Sequence, residues 1–390
     1  MTVWKGLLAI LFLFVALGGS NYYIAHRLCR TLQMWFPRLP SWLTPVLALV
    51  SCALLVLSFC RSMLPVSAPF RHVLGTVGFC WMGIFLYLLL FLLGADLLVR
   101  ILHLVRIIPT HLLARCSSIA CTASVVLALC VSCFGFVHAR RITPVPYEID
   151  LSHKGLTAPM HIVMLSDLHL GSVGSESRLD EIVDAINDMQ PDLVCIAGDL
   201  FDNDFGAIRD PEAAAGQLRQ IRVPYGVWAC PGNHDAGDTA GAMADFLTQC
   251  NIRLLTEEHT VIDNRLILVG RSDASPIGSY TGTARQDTDH VLDGLDDRLP
   301  IVVMDHNPAH ANQYPDKVSL ILCGHTHKGQ LFPGGIITRY LFPVDQGYYR
   351  RTDTSPHVIV SSGIGTWGPP MRVGTDSELV SIRLTNPKLR

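Results

Sequence analysis

The sequence predicts a layered α/β domain carried behind an apolar, membrane-type region. Three observations predict it. Of 33 acidic residues, only Asp96 precedes Arg140. Four long and almost uncharged apolar runs fill that same stretch. Beyond it, short apolar or β-branched runs alternate with stretches of helical periodicity, the pattern of strands covered by helices. A chain of 390 residues can hold two or three domains, and the shift in composition places the main boundary near Arg140.

The apolar region, residues 1–140, is expected to be a transmembrane anchor with helices at about 6–24, 43–60, 73–94 and 119–137. The first run follows Lys5 and is followed by small residues, as in a signal peptide. Three further runs favour reading it as the first membrane helix. Pro37, Pro40, Pro65, Pro69 and Pro109 mark the loops between the runs. Basic residues divide six to five between the two sides, which leaves the face of the following domain undetermined. Asp96 and His103 fall near a span's end, where solvated positions are expected. Nothing resembles a pump or channel, so the spans read as an anchor.

Residues 141–159 read as a linker and first strand, with Pro144 and Pro146 marking the exit from the membrane. Residues 160–390 form the soluble domain. Strands are expected at His161–Leu165, Leu193–Ala197, Val227–Cys230, Leu266–Val269, Ile301–Met304, Val318–Cys323, Val358–Val360 and Leu379–Ile382. Between Arg178 and Met189, the residues Leu179, Ile182, Val183, Ile186 and Met189 make one helical stripe, with Pro191 as a stop. Pro211–Ile221 and Thr239–Cys250 repeat the pattern. Eight of the twelve cysteines lie in the apolar part, and Cys195 and Cys323 sit in strand-like runs, so packing explains them. A net charge of -3 with no Lys/Arg-rich run argues against nucleic acid as a partner.

Five polar clusters each close a strand: Ser166-Asp167-Leu168-His169, Gly198-Asp199, Gly232-Asn233-His234-Asp235, Asp305-His306-Asn307-Pro308 and Gly324-His325-Thr326-His327. Strand ends are where α/β sheets place ligands. Asp-x-His and His-x-His put two side chains on one side of an extended segment, so one segment can supply two ligands to a compact metal site. Each glycine before Asp199, Asn233 and His325 lets the backbone turn tightly. A Gly-Asp or Gly-Asn pair alone is usually a turn, and a lone His is usually a satisfied core or surface residue. Five such clusters in this order leave a metal centre as the reading.

The order D-x-H, G-D, G-N-H-D, H, G-H-x-H resembles that of the calcineurin-like metallophosphoesterase superfamily. Leu165-Ser166-Asp167-Leu168-His169-Leu170-Gly171, His306-Asn307-Pro308, Gly324–Gln330 and Ser362–Thr366, with Arg372 after it, are similar to motifs of its membrane-associated bacterial phosphohydrolases typified by YkuE and YaeI. The resemblance implies an α+β fold, a four-layer αββα metallophosphoesterase sandwich, with 160–390 as its catalytic domain. It implies two divalent metal ions, one held by Asp167, His169, Asp199 and His327, the other by Asp199, Asn233, His306 and His325. A bridging carboxylate, here Asp199, suits two ions about 3.5–4 Å apart. A donor set of His, Asp and one Asn oxygen suits Mn, Fe or Zn. His234 is left without a metal, placed to protonate the leaving oxygen or stabilise the phosphorane, with Asp235 orienting its imidazole. His306 is preferred to His310 because it ends its strand directly.

The implied activity is hydrolysis of phosphodiester or pyrophosphate bonds. The anchor points to a phosphorylated substrate that is lipid-linked or of the cell envelope, and some related enzymes cleave UDP-diacylglucosamine. Two other classes compete. A metal-stabilised envelope-binding or sensing module would have had no reason to keep His234. A transporter would need charged groups within the spans, which are almost absent.

Overall fold

The computed structural model describes residues 3–152, 154–280 and 284–386, with side chains from residue 14 onward apart from Ala68. The chain forms two compact units, Met1–Gly135 and Phe136–Arg390.

The first unit is helical: α1 (Val3–Trp35), α2 (Leu43–Phe59), α3 (Ala68–Leu104) and α4 (Thr110–His138), the last running three residues past the boundary. Among the described residues, Pro69–Leu104 and Thr110–His138 are long and apolar enough to cross a membrane, and Leu43–Phe59 is a shorter apolar helix. Buried polar links tie the helices together. Asn21 Oδ1 accepts from Ser51, whose hydroxyl accepts from Trp81 at 2.8 Å. Asp96 differs from its expected solvated state. Its carboxylate pairs with Arg27 at 2.7 Å and accepts from the Tyr23 hydroxyl at 2.8 Å. A lone carboxylate among apolar helices is costly, so its partners come from another helix.

The second unit holds two six-stranded mixed sheets. The first has the order β1-β12-β2-β3-β4-β5, from β1 (Ile142–Asp150), β2 (Met160–Leu165), β3 (Leu193–Ala197), β4 (Val227–Cys230), β5 (Ile252–Leu254) and β12 (Ser377–Thr385). The second has the order β10-β11-β9-β8-β7-β6, from β6 (Glu258–Ile262), β7 (Leu266–Gly270), β8 (Ile301–Met304), β9 (Leu320–Cys323), β10 (Gly347–Tyr349) and β11 (His357–Val360). Strands β2 to β5 run parallel, as do β7, β8, β9 and β11.

Strand periodicity builds the layers. In β3, Leu193, Cys195 and Ala197 face the core between the sheets, while Val194 and Ile196 face outward. In β9, Leu320 and Leu322 face inward, and Ile321 and Cys323 outward. Both faces are therefore covered, which is why these strands read as unbroken apolar runs. The outer face of the first sheet is capped by α5 (Leu179–Asp188), α6 (Pro211–Leu218) and α7 (Ala240–Gln249). Leu179, Ile182 and Ile186 of the stripe lie in that core, and Val183 is buried beside them in sequence. Helix α6 begins where Asp210 accepts from the Ala213 amide and Pro211 takes the first turn. On the second sheet's outer face lie α8 (Thr288–Leu292) and the turn Pro308–Gln313. One further helix, α9 (Gly334–Leu341), lies between β9 and β10 in sequence.

The exit segment forms the first strand of the domain. Ile142–Asp150 is a full nine-residue strand despite Pro144 and Pro146. It pairs only with β12, and an edge strand can lose amide donors on its open flank.

Candidate metal centre

The parallel strands end in loops that carry the polar clusters. Asp167 and His169 follow β2, Asp199 follows β3, Asn233 and His234 follow β4, His306 follows β8, and His325 and His327 follow β9. The loops are strapped together by backbone bonds. Asp167 N donates to Gly198 O at 3.0 Å, His169 N to Asp199 O at 3.1 Å, and Gly324 N to His306 O at 2.9 Å. Five of the seven candidate ligands, Asp167, His169, Asp199, His325 and His327, hold left-handed φ angles between 48° and 73°. Such conformations persist only where the surroundings over-determine them, as these straps do.

Two glycines make the close approach possible. A Cβ on Gly198, whose φ is +81°, would stand 2.6 Å from the His306 ring. One on Gly232 would stand 2.1 Å from an Asp199 carboxylate oxygen. No larger residue fits either place without moving a candidate ligand.

The side chains gather into two adjoining groups, Asp167–His169–His327 and Asp199–His306–His325. The Asp199 carboxylate stands between them, 3.9 Å from His169 Nε2 and 3.1 Å from His306 Nε2. Asp167 Oδ1 lies 3.4 Å from His327 Nε2 and 3.9 Å from His306 Nε2. His169 Nε2 and His327 Nε2 face each other at 3.1 Å. Asn233 Oδ1 lies 2.8 Å from His325 Nδ1. His310, the alternative to His306, stands outside both groups.

Hydrogen bonds aim these ligands. His306 Nδ1 meets Ala197 O at 2.7 Å, so that nitrogen donates and the ring presents Nε2 to the carboxylates. The His325 amide donates to Asp167, and the His234 amide donates to Asp199 Oδ1 at 2.8 Å.

The electrostatics calls for positive charge. Burial pushes the Asp167 carboxyl up. Burial would also raise Asp199, but the imidazoles of His306, His234 and His169 outweigh it and hold it well below the usual carboxylate range. Burial lowers His169, His327 and His325, the last to about 4, so their rings are neutral ligands near neutral pH. His306 goes the other way, raised against its burial by Asp199 and Asp167. Meanwhile His306 Nε2 and the Nδ1 atoms of His169 and His327 are buried without a hydrogen-bond partner. Of these, His306 Nε2 faces the Asp199 and Asp167 carboxylates at 3.1 and 3.9 Å; an unpaired buried nitrogen there is costly in a site with no cation, and it is a donor that a divalent ion takes. The residues therefore fit a two-metal centre.

His234 stands edge-on to His169, with ring centroids 5.0 Å apart, and 6.1 Å from the Trp367 ring. Asp235, expected to orient His234, does other work. Its carboxylate accepts from the amides of Gly232, Phe201 and Leu200, bracing the loops after β3 and β4. The carboxylate that faces the His234 imidazole is Asp202, at 3.9 Å from its Nδ1 and 3.8 Å from His169 Nδ1. Sequence reasoning missed Asp202. Its one signal is its place three residues after Asp199, on a turn that brings it back toward the loop after β2 through the Leu170–Phe201 bridge.

Arg372 is fully buried and donates to the carbonyls of Ser362, Gly363 and Gly365. Burial brings its guanidinium down to about 10. It braces the loop behind Asp167 and is closed to solvent.

Comparison with known proteins bears on this geometry. Residues 160–329 match the family model described as calcineurin-like phosphoesterase. A protein of Danio rerio described as a transmembrane protein with metallophosphoesterase domain is 30% identical over 410 residues, covering 97% of this chain and 91% of that one. The chain belongs to the calcineurin-like phosphoesterase family. An uncharacterized metallophosphoesterase of Helicobacter pylori is 26% identical, covering 72% of this chain and 84% of its own. The uncharacterized metallophosphoesterase YkuE of Bacillus subtilis is 30% identical over 234 residues, covering 57% and 78% respectively. This phosphoesterase is thus a metal-dependent enzyme acting on a phosphorylated substrate, and its fold works with two divalent metal ions.

Proposed function

We propose that this phosphoesterase is a multi-pass membrane enzyme that hydrolyses phosphodiester or pyrophosphate bonds of a lipid-linked or cell-envelope substrate. The observation that carries the catalytic part is the Asp199 carboxylate lying between two groups of buried His and Asp side chains. In this reading Asp167, His169, Asp199 and His327 hold one ion and Asp199, Asn233, His306 and His325 the other, Mn, Fe or Zn by donor type. When bound, two divalent ions supply Lewis acidity and neutralise charge on the phosphoryl oxygens.

The chain's own residues do the rest. The His234 amide, fixed to Asp199, holds the imidazole at the rim of the ligand ring. Asp202 faces its Nδ1, which orients the ring and leaves Nε2 to donate to the leaving oxygen. Trp367 closes one side of that imidazole and shields the transfer from bulk water. The membrane part of the reading rests on the two spanning-length helices, the apolar Leu43–Phe59 and the similarity to the Danio rerio protein across nearly the whole chain. On this reading 1–140 is a four-span anchor, 141–159 the linker and first strand, and 160–390 the catalytic domain.

The test uses the purified full chain. Metal content is measured, and a chromogenic phosphodiester is assayed with Mn for the wild type and for His234→Ala. Expected are two ions per chain in both proteins and a kcat lower by about 100- to 10,000-fold in the variant. Wild-type turnover in His234→Ala would overturn the assignment of the proton donor.

A further inference from the structure

Helix α9 inverts the usual amphipathic arrangement. Its polar Thr338 turns inward and donates to Asp345 Oδ2 at 3.0 Å. Ile336, Ile337, Tyr340 and Leu341, at positions that share one helical face, are exposed, Tyr340 to 87%. Ten large apolar side chains are strongly exposed among the described residues of the second unit. Five of them, Phe332, Ile336, Ile337, Tyr340 and Leu341, fall within residues 332–341. Soluble surfaces rarely concentrate apolar side chains in this way unless something covers them.

The patch belongs to the catalytic end of the domain. Gly334 packs against Gly329 in the turn that carries His327. Phe342, directly after the helix, meets the His325 ring at 5.6 Å. Gln330 holds Trp367 through both its amide groups, and Trp367 is itself 44% exposed beside His234. Segment 328–351 carries Lys328, Arg339, Arg350 and Arg351 against a single acid, Asp345, in a chain whose net charge is -3.

We propose that α9, with Phe332 and Trp367, docks on an anionic lipid bilayer and sets the metal centre at headgroup level. Three arguments select a bilayer as the occupant. Aliphatic and aromatic side chains flanked by cations are the composition of interfacial helices. The local excess of positive charge complements lipid phosphates. Only Ala139, Arg140 and Arg141 separate α4 from β1, a reach of roughly 10 Å, so a membrane-crossing α4 would keep this domain at the lipid surface. That last argument rests on the anchor reading above.

The experiment uses the full chain in nanodiscs of equimolar phosphatidylcholine and phosphatidylglycerol. A photo-reactive p-benzoyl-phenylalanine replaces Tyr340 or, as a control, Val261, which is exposed on β6 at the opposite edge of the second sheet from β10. After irradiation, mass spectrometry expects lipid adducts on the peptide carrying position 340 and not on that carrying 261. Adding Ile337→Asp and Leu341→Asp to the Tyr340 reporter should abolish the adduct while hydrolysis of a soluble diester stays at the wild-type level, which reports an intact fold. Equal lipid capture at both positions overturns the proposal. So does an adduct that survives the two aspartates, or cross-linking of position 340 to a second copy of the chain. A chain that captures lipid at position 340 but hydrolyses nothing would sink the catalytic reading and leave the docking surface standing.

Discussion

Replacing Gly198 with Ala tests whether the close packing of the strand-end loops positions the ligands. The added methyl would lie 2.6 Å from the His306 ring, so relieving it to an ordinary contact near 3.4 Å requires a shift of about 0.8 Å. The ring has little freedom to give. It is fully buried, its Nδ1 is bound to Ala197 O at 2.7 Å, and its Nε2 faces Asp199 at 3.1 Å. Left-handed backbone at +81° adds about 1–2 kcal/mol of strain, and overpacking about 1–3 kcal/mol, so stability should fall by about 2–5 kcal/mol. A misplacement of this size at a reacting centre costs about 100-fold in kcat/KM. The assay is diester hydrolysis by the detergent-purified full chain, with metal content and melting temperature measured in parallel. Gly216→Ala is the matched control. It lies in α6 with open space around it, and should be neutral or stabilise by up to about 1 kcal/mol. Wild-type turnover and metal content in Gly198→Ala would refute the argument that loop proximity sets the ligand geometry.

Three further outcomes follow from the same geometry. Asp202→Asn should lower kcat at least tenfold while leaving metal content unchanged, since the carboxylate faces His234 and His169 from behind (a tenfold loss is about 1.4 kcal/mol of barrier). Exhaustive chelation should abolish hydrolysis and lower the melting temperature, and Mn should restore both; saturation at about 100 times Kd adds about 2.7 kcal/mol, so an unchanged melting temperature would contradict the ligand set. Arg372→Leu leaves the carbonyls of Ser362 and Gly365 unsatisfied in the core and should cost about 3 kcal/mol or more, read as a shift in the denaturation midpoint.

The strands that carry the candidate ligands are legible in the sequence because both of their faces are buried. Val227–Cys230 and Ile301–Met304 are apolar at every position, and each run stops where a polar cluster begins. The weaker strands are not legible, for physical reasons. Ile252–Leu254 and Gly347–Tyr349 have three residues each and lie at sheet edges, where one flank is open and alternation is short. Glu258–Ile262 is mostly exposed and carries its charge on an edge. The sequence around Asp96 predicts a solvated carboxylate because its partner, Arg27, lies on another helix nearly seventy residues away, and no local pattern announces such a pairing.

The same distinction runs through the site. Candidate ligands sit in short motifs at strand ends, so the motifs and the family resemblance they carry bring them forward. What orients them comes from elsewhere in the chain. Asp202 reaches His234 because the loops after β3 and β4 lie side by side, and the nearest carboxylate in sequence, Asp235, is consumed by backbone amides. Arg372 follows the Ser362–Thr366 motif in sequence, and three carbonyls of that loop bind it in the interior. The division of the ligands makes the point general. Asp167, His169, Asp199 and Asn233 hang from the first sheet, and His306, His325 and His327 from the second. In the proposed assignment, neither sheet carries a complete set for either ion. The centre exists only when the two sheets have packed over their shared core, so metal affinity should report on that packing as directly as any probe of the fold.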